Sequence, residues 1–179
     1  TIMALIKLNL AQGVTGTLPT SNYVQGLSVA TSYRISTNFA NSADPITSNW
    51  EEADTDGYGR LGTAVSQSSG IFTMPSTGIY LILANFSFDE NGGGNDNSMH
   101  LYINTTTDGT NFAVASEGRA SYAASNARQG ADCAFIFDVT DTSTHKVSFS
   151  VSGIITSNQT MGSSTQHNSA VHFIKLGDT

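Results

Sequence analysis

Gly70-Ile71-Phe72-Thr73-Met74-Pro75-Ser76-Thr77-Gly78-Ile79-Tyr80 is the stretch whose reading decides the fold. Phe72 and Met74 stand two residues apart and so share one face of an extended segment. Pro75 withholds a ladder donor, and Gly78 permits a tight reversal before a second apolar run begins at Ile79. The local chemistry is strand, turn, strand, and it predicts Phe72, Tyr80 and Phe86 inside the core.

Short strands separated by turn clusters continue on both sides of this hairpin. Apolar alternation bounded by Gly, Asn, Asp and Ser predicts strands over 32–39, 60–65, 70–75, 78–88, 98–105, 111–119, 130–140, 145–153 and 168–176. No helix-period segment exceeds two turns and no strong internal repeat is present, so a sandwich or barrel is expected. Composition agrees. Only 12% of residues are charged, while Ser, Thr, Asn and Gly are abundant, as in a β protein with uncharged polar outer faces. A chain of 179 residues buries about 70% of its unfolded surface as one domain and needs no staple.

Two strands carry more apolar surface than a sandwich uses. In 78–88, Tyr80, Ile82, Ala84, Phe86 and Phe88 form one face, while the opposite face begins Ile79, Leu81, Leu83 and turns polar only at Asn85 and Ser87. In 130–140, Cys133, Phe135, Phe137 and Val139 alternate with Ala134 and Ile136. Val147, Phe149 and Val151 instead alternate cleanly with Lys146, Ser148 and Ser150, which predicts a strand with one wet face. The surplus implies a second burial partner, and the commonest such partner is another copy of the chain.

Charge and composition exclude several functions. The formal charge is −7 and the seven Lys and Arg are scattered from Lys7 to Lys175, so no basic stripe exists to neutralise phosphates and no nucleic acid binding is expected. No run of 18 apolar residues is present, so no membrane insertion is expected. The single cysteine, Cys133, rules out an internal disulfide and a cysteine-cluster metal site. The start at Thr1, with no charged-then-apolar leader, fits a processed form, an expressed fragment or a protein exported by assembly.

The spacing Gly70-x-Phe72-Thr73-x-Pro75-x-x-Gly78-x-Tyr80 resembles the central hairpin of the complement C1q and tumour necrosis factor superfamily. Three further segments follow that family's order. Trp50 to Gly57 occupies the place of its polar loop, 135–141 with 145–151 is similar to its long apolar hairpin, and 169–178 resembles its last strand without the family's glycine. The resemblance spans residues 30–178. It implies an all-β, ten-stranded antiparallel jelly-roll sandwich that assembles as a homotrimer and serves recognition. Separately, Gly13-Val14-Thr15-Gly16-Thr17-Leu18-Pro19-x-x-Asn22 resembles a segment of bacteriophage tail fibres. The chain is thus expected to divide into an arm, 1–26, and a jelly-roll head, 27–179.

Candidate sites follow from residue chemistry. Asp89-Glu90-Asn91-Gly92-Gly93-Gly94-Asn95-Asp96-Asn97 offers hard oxygen donors, so calcium at Asp89, Glu90 and Asp96 is one expectation, set against a solvated loop without EF-hand order. Glu51, Glu52, Asp54 and Asp56 form a second acidic cluster, in which Tyr58 replaces an oxygen donor. Tyr122, Asn126 and Arg128 are candidates to stack on and hydrogen-bond a sugar. No Gly-x-Ser-x-Gly elbow occurs and the four histidines, His100, His145, His167 and His172, are dispersed, so no catalytic residues are expected. Cys133 reads as a small core residue, and no cofactor is required.

Together these readings point to a virion structural protein: a trimeric phage fibre head or adhesin, binding a host surface receptor or glycan beside other virion proteins. The alternative is a secreted C1q-like recognition or signalling module. A polysaccharide-degrading enzyme, built on a pair of carboxylates across a cleft, ranks third.

Overall fold

Phe72 lies at the centre of the molecule, fully buried, with four aromatic rings around it. Tyr33, Trp50, Phe149 and Phe173 have ring centroids 5.2, 5.0, 5.3 and 5.2 Å from it, mostly edge to face. The computed structural model that shows this describes residues 26–90, 98–121, 127–155 and 158–179. The predicted arm falls almost wholly outside them.

The described residues form β1 (Ala30–Ile35), β2 (Phe39–Ala40), β3 (Trp50–Glu52), β4 (Ser66–Ser68), β5 (Ile71–Thr73), β6 (Gly78–Glu90), β7 (Met99–Thr106), β8 (Ala113–Ala120), β9 (Arg128–Val139), β10 (Lys146–Ser152), β11 (Asn158–Thr160) and β12 (Ala170–Gly177). They make two antiparallel sheets. The seven-stranded sheet runs β2-β11-β6-β12-β1-β3, with β9 on the free edge of β6; the five-stranded sheet runs β4-β5-β10-β7-β8. Crossovers between the sheets make this a jelly-roll sandwich, as expected, and the surplus over ten strands comes from very short segments.

The opening stretch and the pair of apolar strands over 135–151 are both expected as hairpins; each instead arches from one sheet to the other, since β5 and β10 lie in the five-stranded sheet and β6 and β9 in the seven-stranded one. The Pro75–Gly78 turn therefore crosses the sandwich edge. Gly70 adopts φ +81°, and a Cβ there would lie 2.2 Å from the Ile46 carbonyl oxygen, so no other residue fits that approach. Tyr80 spans the turn and donates its hydroxyl to the Ser76 carbonyl at 3.0 Å. Tyr80, Ile82, Ala84, Phe86 and Phe88 all point inward, as the alternation predicts.

Three further expectations need correction. The strand expected over 60–65 is displaced: Leu61 makes only an isolated bridge to Ala30, and the strand itself is Ser66–Ser68. Trp50 to Glu52, read as part of a polar loop, is a strand because Tyr33, Arg34 and Ile35 supply its ladder, and Trp50 turns its ring into the core. Ser148 and Ser150 on the face expected to be wet are buried, at 3% and 4% exposure. Their side chains are short, the larger ring of Tyr102 on β7 lies opposite Ser150, and the buried Asn104 opposite Ser148 donates to the Ser150 hydroxyl, so the polar groups of this face satisfy one another.

Candidate functional site

The outward face of the seven-stranded sheet presents a row of apolar side chains in register. Ile136 on β9 lies opposite Leu81 on β6, Leu81 opposite Ile174 on β12, and Ile174 opposite Ala30 on β1. Leu83 with Ala134 extends the patch on one side; on the other, Ile79 lies opposite Gly177 and Asp138, and Leu176 stands in the β12 bulge beside them. Ile136 is 60% exposed and Leu176 is 45% exposed. An antiparallel sheet with one solvated face normally turns polar side chains outward, so a contiguous apolar patch marks an interaction surface.

Polar groups border this patch. A hollow of about 550 Å3 is lined by Leu83, Asn85, Asp132, Ala134 and His172. His172 Nδ1 lies 2.8 Å from Ser32 Oγ, and the His167 ring sits 5.7 Å away. Burial, and then His167, hold His172 below the ordinary histidine value; burial, and then Arg34, do the same for His167. Arg34 is fully buried although it belongs to the outward set of β1. Its guanidinium donates to Glu51 at 3.2 Å, to Thr55 Oγ1 at 2.7 Å, to Asp54 and to the Ser164 carbonyl. This clamp joins β1, β3 and the chain before β12, and it finishes the sheet edge beside the apolar row.

The acidic cluster of residues 51 to 56 is therefore largely committed to cations. Glu51 and Asp54 pair with Arg34, and Glu52 pairs with Arg60 at 3.1 Å. In the other acidic segment, Asp89 and Glu90 are consecutive on β6 and leave by opposite faces; Glu90 is buried while Asp89 pairs with Arg128 at 3.3 Å. Asp96, Tyr122 and Asn126 lie outside the described residues, so the structure brings together only Asp89 and Arg128 from the two predicted trios. Among the described residues, no group of three His, Cys, Asp or Glu is arranged to hold a metal ion.

Cys133 packs at the margin of the core, with Sγ 3.9 Å from the Leu101 carbonyl oxygen. Burial, and then the Asp132 charge, push its thiol up to about 11, which leaves it protonated and unreactive at neutral pH.

The sequence pattern missed one constellation. Ser98 Oγ lies 2.8 Å from His100 Nε2, and His100 Nδ1 contacts Glu117 on the outward face of the five-stranded sheet. The order Ser, His, carboxylate resembles a nucleophile relay, yet Arg119 also binds Glu117 at 3.0 Å and offsets its charge. Ser98 stands at the start of a strand rather than on a strained elbow. The group forms a polar band, continued by Tyr102, whose ring stacks 5.8 Å from His100. Ser98-x-His100-x-Tyr102 shares a face by period two, and that alternation was its only signal in the sequence.

No family model and no curated protein matches the sequence. Solved structures do match. Murine APRIL, crystallised at pH 5.0, aligns at 14% identity over 83% of this chain and 98% of its own, with a TM-score of 0.59. At pH 8.5 the same murine protein aligns at 13% identity over the same shares, with a TM-score of 0.58. Eiger TNF from S. frugiperda aligns at 13% identity over 87% of this chain and 96% of its own, with a TM-score of 0.63. Identities this low speak to architecture, and the architecture is a jelly roll of the tumour necrosis factor type.

Proposed function

We propose that this chain is a non-enzymatic recognition module that works as a homotrimer, packed through the outward face of its seven-stranded sheet. The observation that carries this reading is the apolar row Ile136, Leu81, Ile174 and Ala30, which crosses four strands in register. Burial contributes about 25 cal/mol per Å2 of apolar surface taken from water, and Ile136, at 60% exposure, has the most to give, with the half-buried Leu81 and Ile174 adding less. Closed assembly about an axis uses the same surface in every copy, and the superfamily resemblance of the opening stretch favours three. Light scattering or native mass spectrometry of the full chain should return three times the chain mass; a stable monomer would overturn the assembly.

The finer reading places this trimer as the head of a phage fibre, carried on a virion with other structural proteins and binding a host receptor. It is supported by the wording of residues 13–22 alone. A secreted module of C1q type is the second reading, favoured equally by the fold. The two separate on the gene's surroundings: neighbouring capsid and tail genes support the fibre head, and an upstream collagen-like or leader segment supports the secreted module. Calcium at Asp89, Glu90 and Asp96, and a ligand at Tyr122, Asn126 and Arg128, stand as proposals within either reading, tested by calcium titration and by Arg128→Ala.

A further inference from the structure

The outward face of the five-stranded sheet holds a trough of about 310 Å3 lined by Asp44, Tyr102, Asn104, Val114, Ser150 and Ser152. It runs across four segments. Ala43 bridges Val151, which brings Asp44 to the β10 edge; Ser150 and Ser152 lie on β10, Tyr102 and Asn104 on β7, and Val114 on β8. A bulge shapes its far wall. Ile103 pairs with Ser116 but Asn104 pairs with Val114, so the extra residue, Ala115, switches parity and turns Val114 outward. Val114 is 60% exposed there.

The floor is built of neutral polar groups held in place. Asn104 Nδ2 donates to Ser150 Oγ at 2.8 Å, which presents the Asn104 carbonyl oxygen as an acceptor and the Ser150 hydroxyl as a donor. Tyr102 Oη lies 3.2 Å from Ser152 Oγ, and His100 stacks behind the Tyr102 ring, so the ring is fixed as a platform. Asp44 is exposed at one end and supplies a carboxylate acceptor. An aromatic face, an aliphatic wall, a carboxylate, an amide carbonyl and hydroxyls are the groups that receive a pyranose ring, whose C–H face is apolar and whose rim is hydroxyl. The trough lining contains no Lys or Arg, and the chain carries a formal charge of −7, which selects against sulfated or carboxylated sugars.

We propose that this trough binds an uncharged pyranoside, the terminal unit of a surface glycan. The inference rests on the recognition reading but not on assembly, because every lining residue comes from one protomer and the trough lies on the sheet opposite the apolar row. In the homotrimer, three troughs face outward, and weak single-site affinity is multiplied by simultaneous engagement.

The test is saturation-transfer NMR of the full chain with methyl glucoside, methyl galactoside, methyl mannoside and methyl N-acetylglucosaminide at millimolar concentration, with sialic acid as the charged control. At least one uncharged glycoside should bind and sialic acid should not. Tyr102→Ala and the isosteric Asp44→Asn should each weaken binding by about tenfold, the expected cost of a stacking platform or a charged hydrogen bond. Arg60→Ala, at an exposed residue that pairs with Glu52 and is not part of the trough lining, should leave binding unchanged. Absence of binding by all four glycosides, or binding that survives both substitutions, overturns the proposal. A monomer that still binds sugar sinks the assembly alone, whereas a trimer that adheres to cells but binds no glycoside sinks the trough alone.

Discussion

The two sheets share one core but differ on their outer faces. Outside the seven-stranded sheet, registered positions read Ile136, Leu81, Ile174, with Leu83 and Leu176 beside them. Outside the five-stranded sheet, registered positions read Ser150 opposite Tyr102, Ser152 opposite His100 and Tyr102 opposite Glu117. The inner faces are constrained by packing against each other, so both are apolar by necessity. Folding of the single chain does not dictate the outer faces. On the proposed reading, their contrast reports what each meets: another copy of the chain on one side, water and a polar ligand on the other.

The largest expected effect comes from charging the apolar face. Ile136→Asp sets a carboxylate into the row of every copy, and the measured mass should fall from trimer to monomer while the fold persists. Val114→Asp, on a residue exposed to the same 60% but on the polar side, should leave the mass unchanged. If both variants or neither changed the mass, the contrast between faces would lose its meaning.

Breaking the shared core comes next. Phe72→Ala removes the ring that meets Tyr33, Trp50, Phe149 and Phe173, and should cost about 3–5 kcal/mol in denaturant unfolding. A cost near zero would mean that the opening strand–turn–strand is not the hub of the sandwich.

That hub was legible because its signals are local. Phe72 and Met74 alternate, Pro75 and Gly78 mark the turn, and β6 repeats every two residues over its whole length. The short strands were not legible for the opposite reason. β11 is Asn158-Gln159-Thr160, polar throughout, and exists because β6 offers it Phe88 to Glu90 as a ladder. Likewise, Trp50-Glu51-Glu52 carries no alternation of its own. The apolar outer row could be read from the two-faced strands, since Leu81 and Ile136 each stand out along their own segment. The trough was hidden: Asp44, Tyr102, Val114 and Ser150 come from four separate stretches, and only sheet register brings them together. Arg34 was equally silent, as its partners Glu51 and Asp54 read as an acidic cluster until β1 and β3 paired.

Arg34 tests the border of the apolar face. Arg34→Met keeps a long apolar stem but removes the donors to Glu51, Thr55, Asp54 and Ser164, and should lower stability by about 2 kcal/mol. The loss should appear in chemical denaturation of the monomeric Ile136→Asp background as well, since the clamp lies within one chain. A loss confined to the trimer would make Arg34 an intersubunit residue instead.

His172 and His167 give the apolar face a pH dependence. Both are held below the ordinary value of 6.5, so as pH falls through 6.5 the unfolded chain takes up protons first. Stability present above pH 6.5 is then lost until the folded-state values are passed. The groups that act on them after burial are cationic or potentially so: Arg34 opposes protonation of His167, and His167 opposes protonation of His172, whose Nδ1 meets the Ser32 hydroxyl. Unfolding measured between pH 7.5 and 5.0 should slope less in His172→Asn than in the parent, by an amount set by one proton at most. An identical slope would mean that His172 titrates as in the unfolded chain.

The smallest effect belongs to the polar face. Hydrogen bonds from Arg119, and then from His100, hold the Glu117 carboxyl down from 4.5 to about 2. A carboxyl depressed in this way adds stability above its unfolded value, and the addition disappears as pH falls from 4.5 towards 2. Solvent screening keeps it small, because the ion pair is at the surface. Glu117→Gln should therefore flatten the acid limb of the stability curve over that window and leave the trimer mass at neutral pH untouched. Should Glu117→Gln dissociate the trimer at pH 7, the polar face would be part of the assembly surface, and the division of labour between the two sheets would fail where it is most sharply drawn.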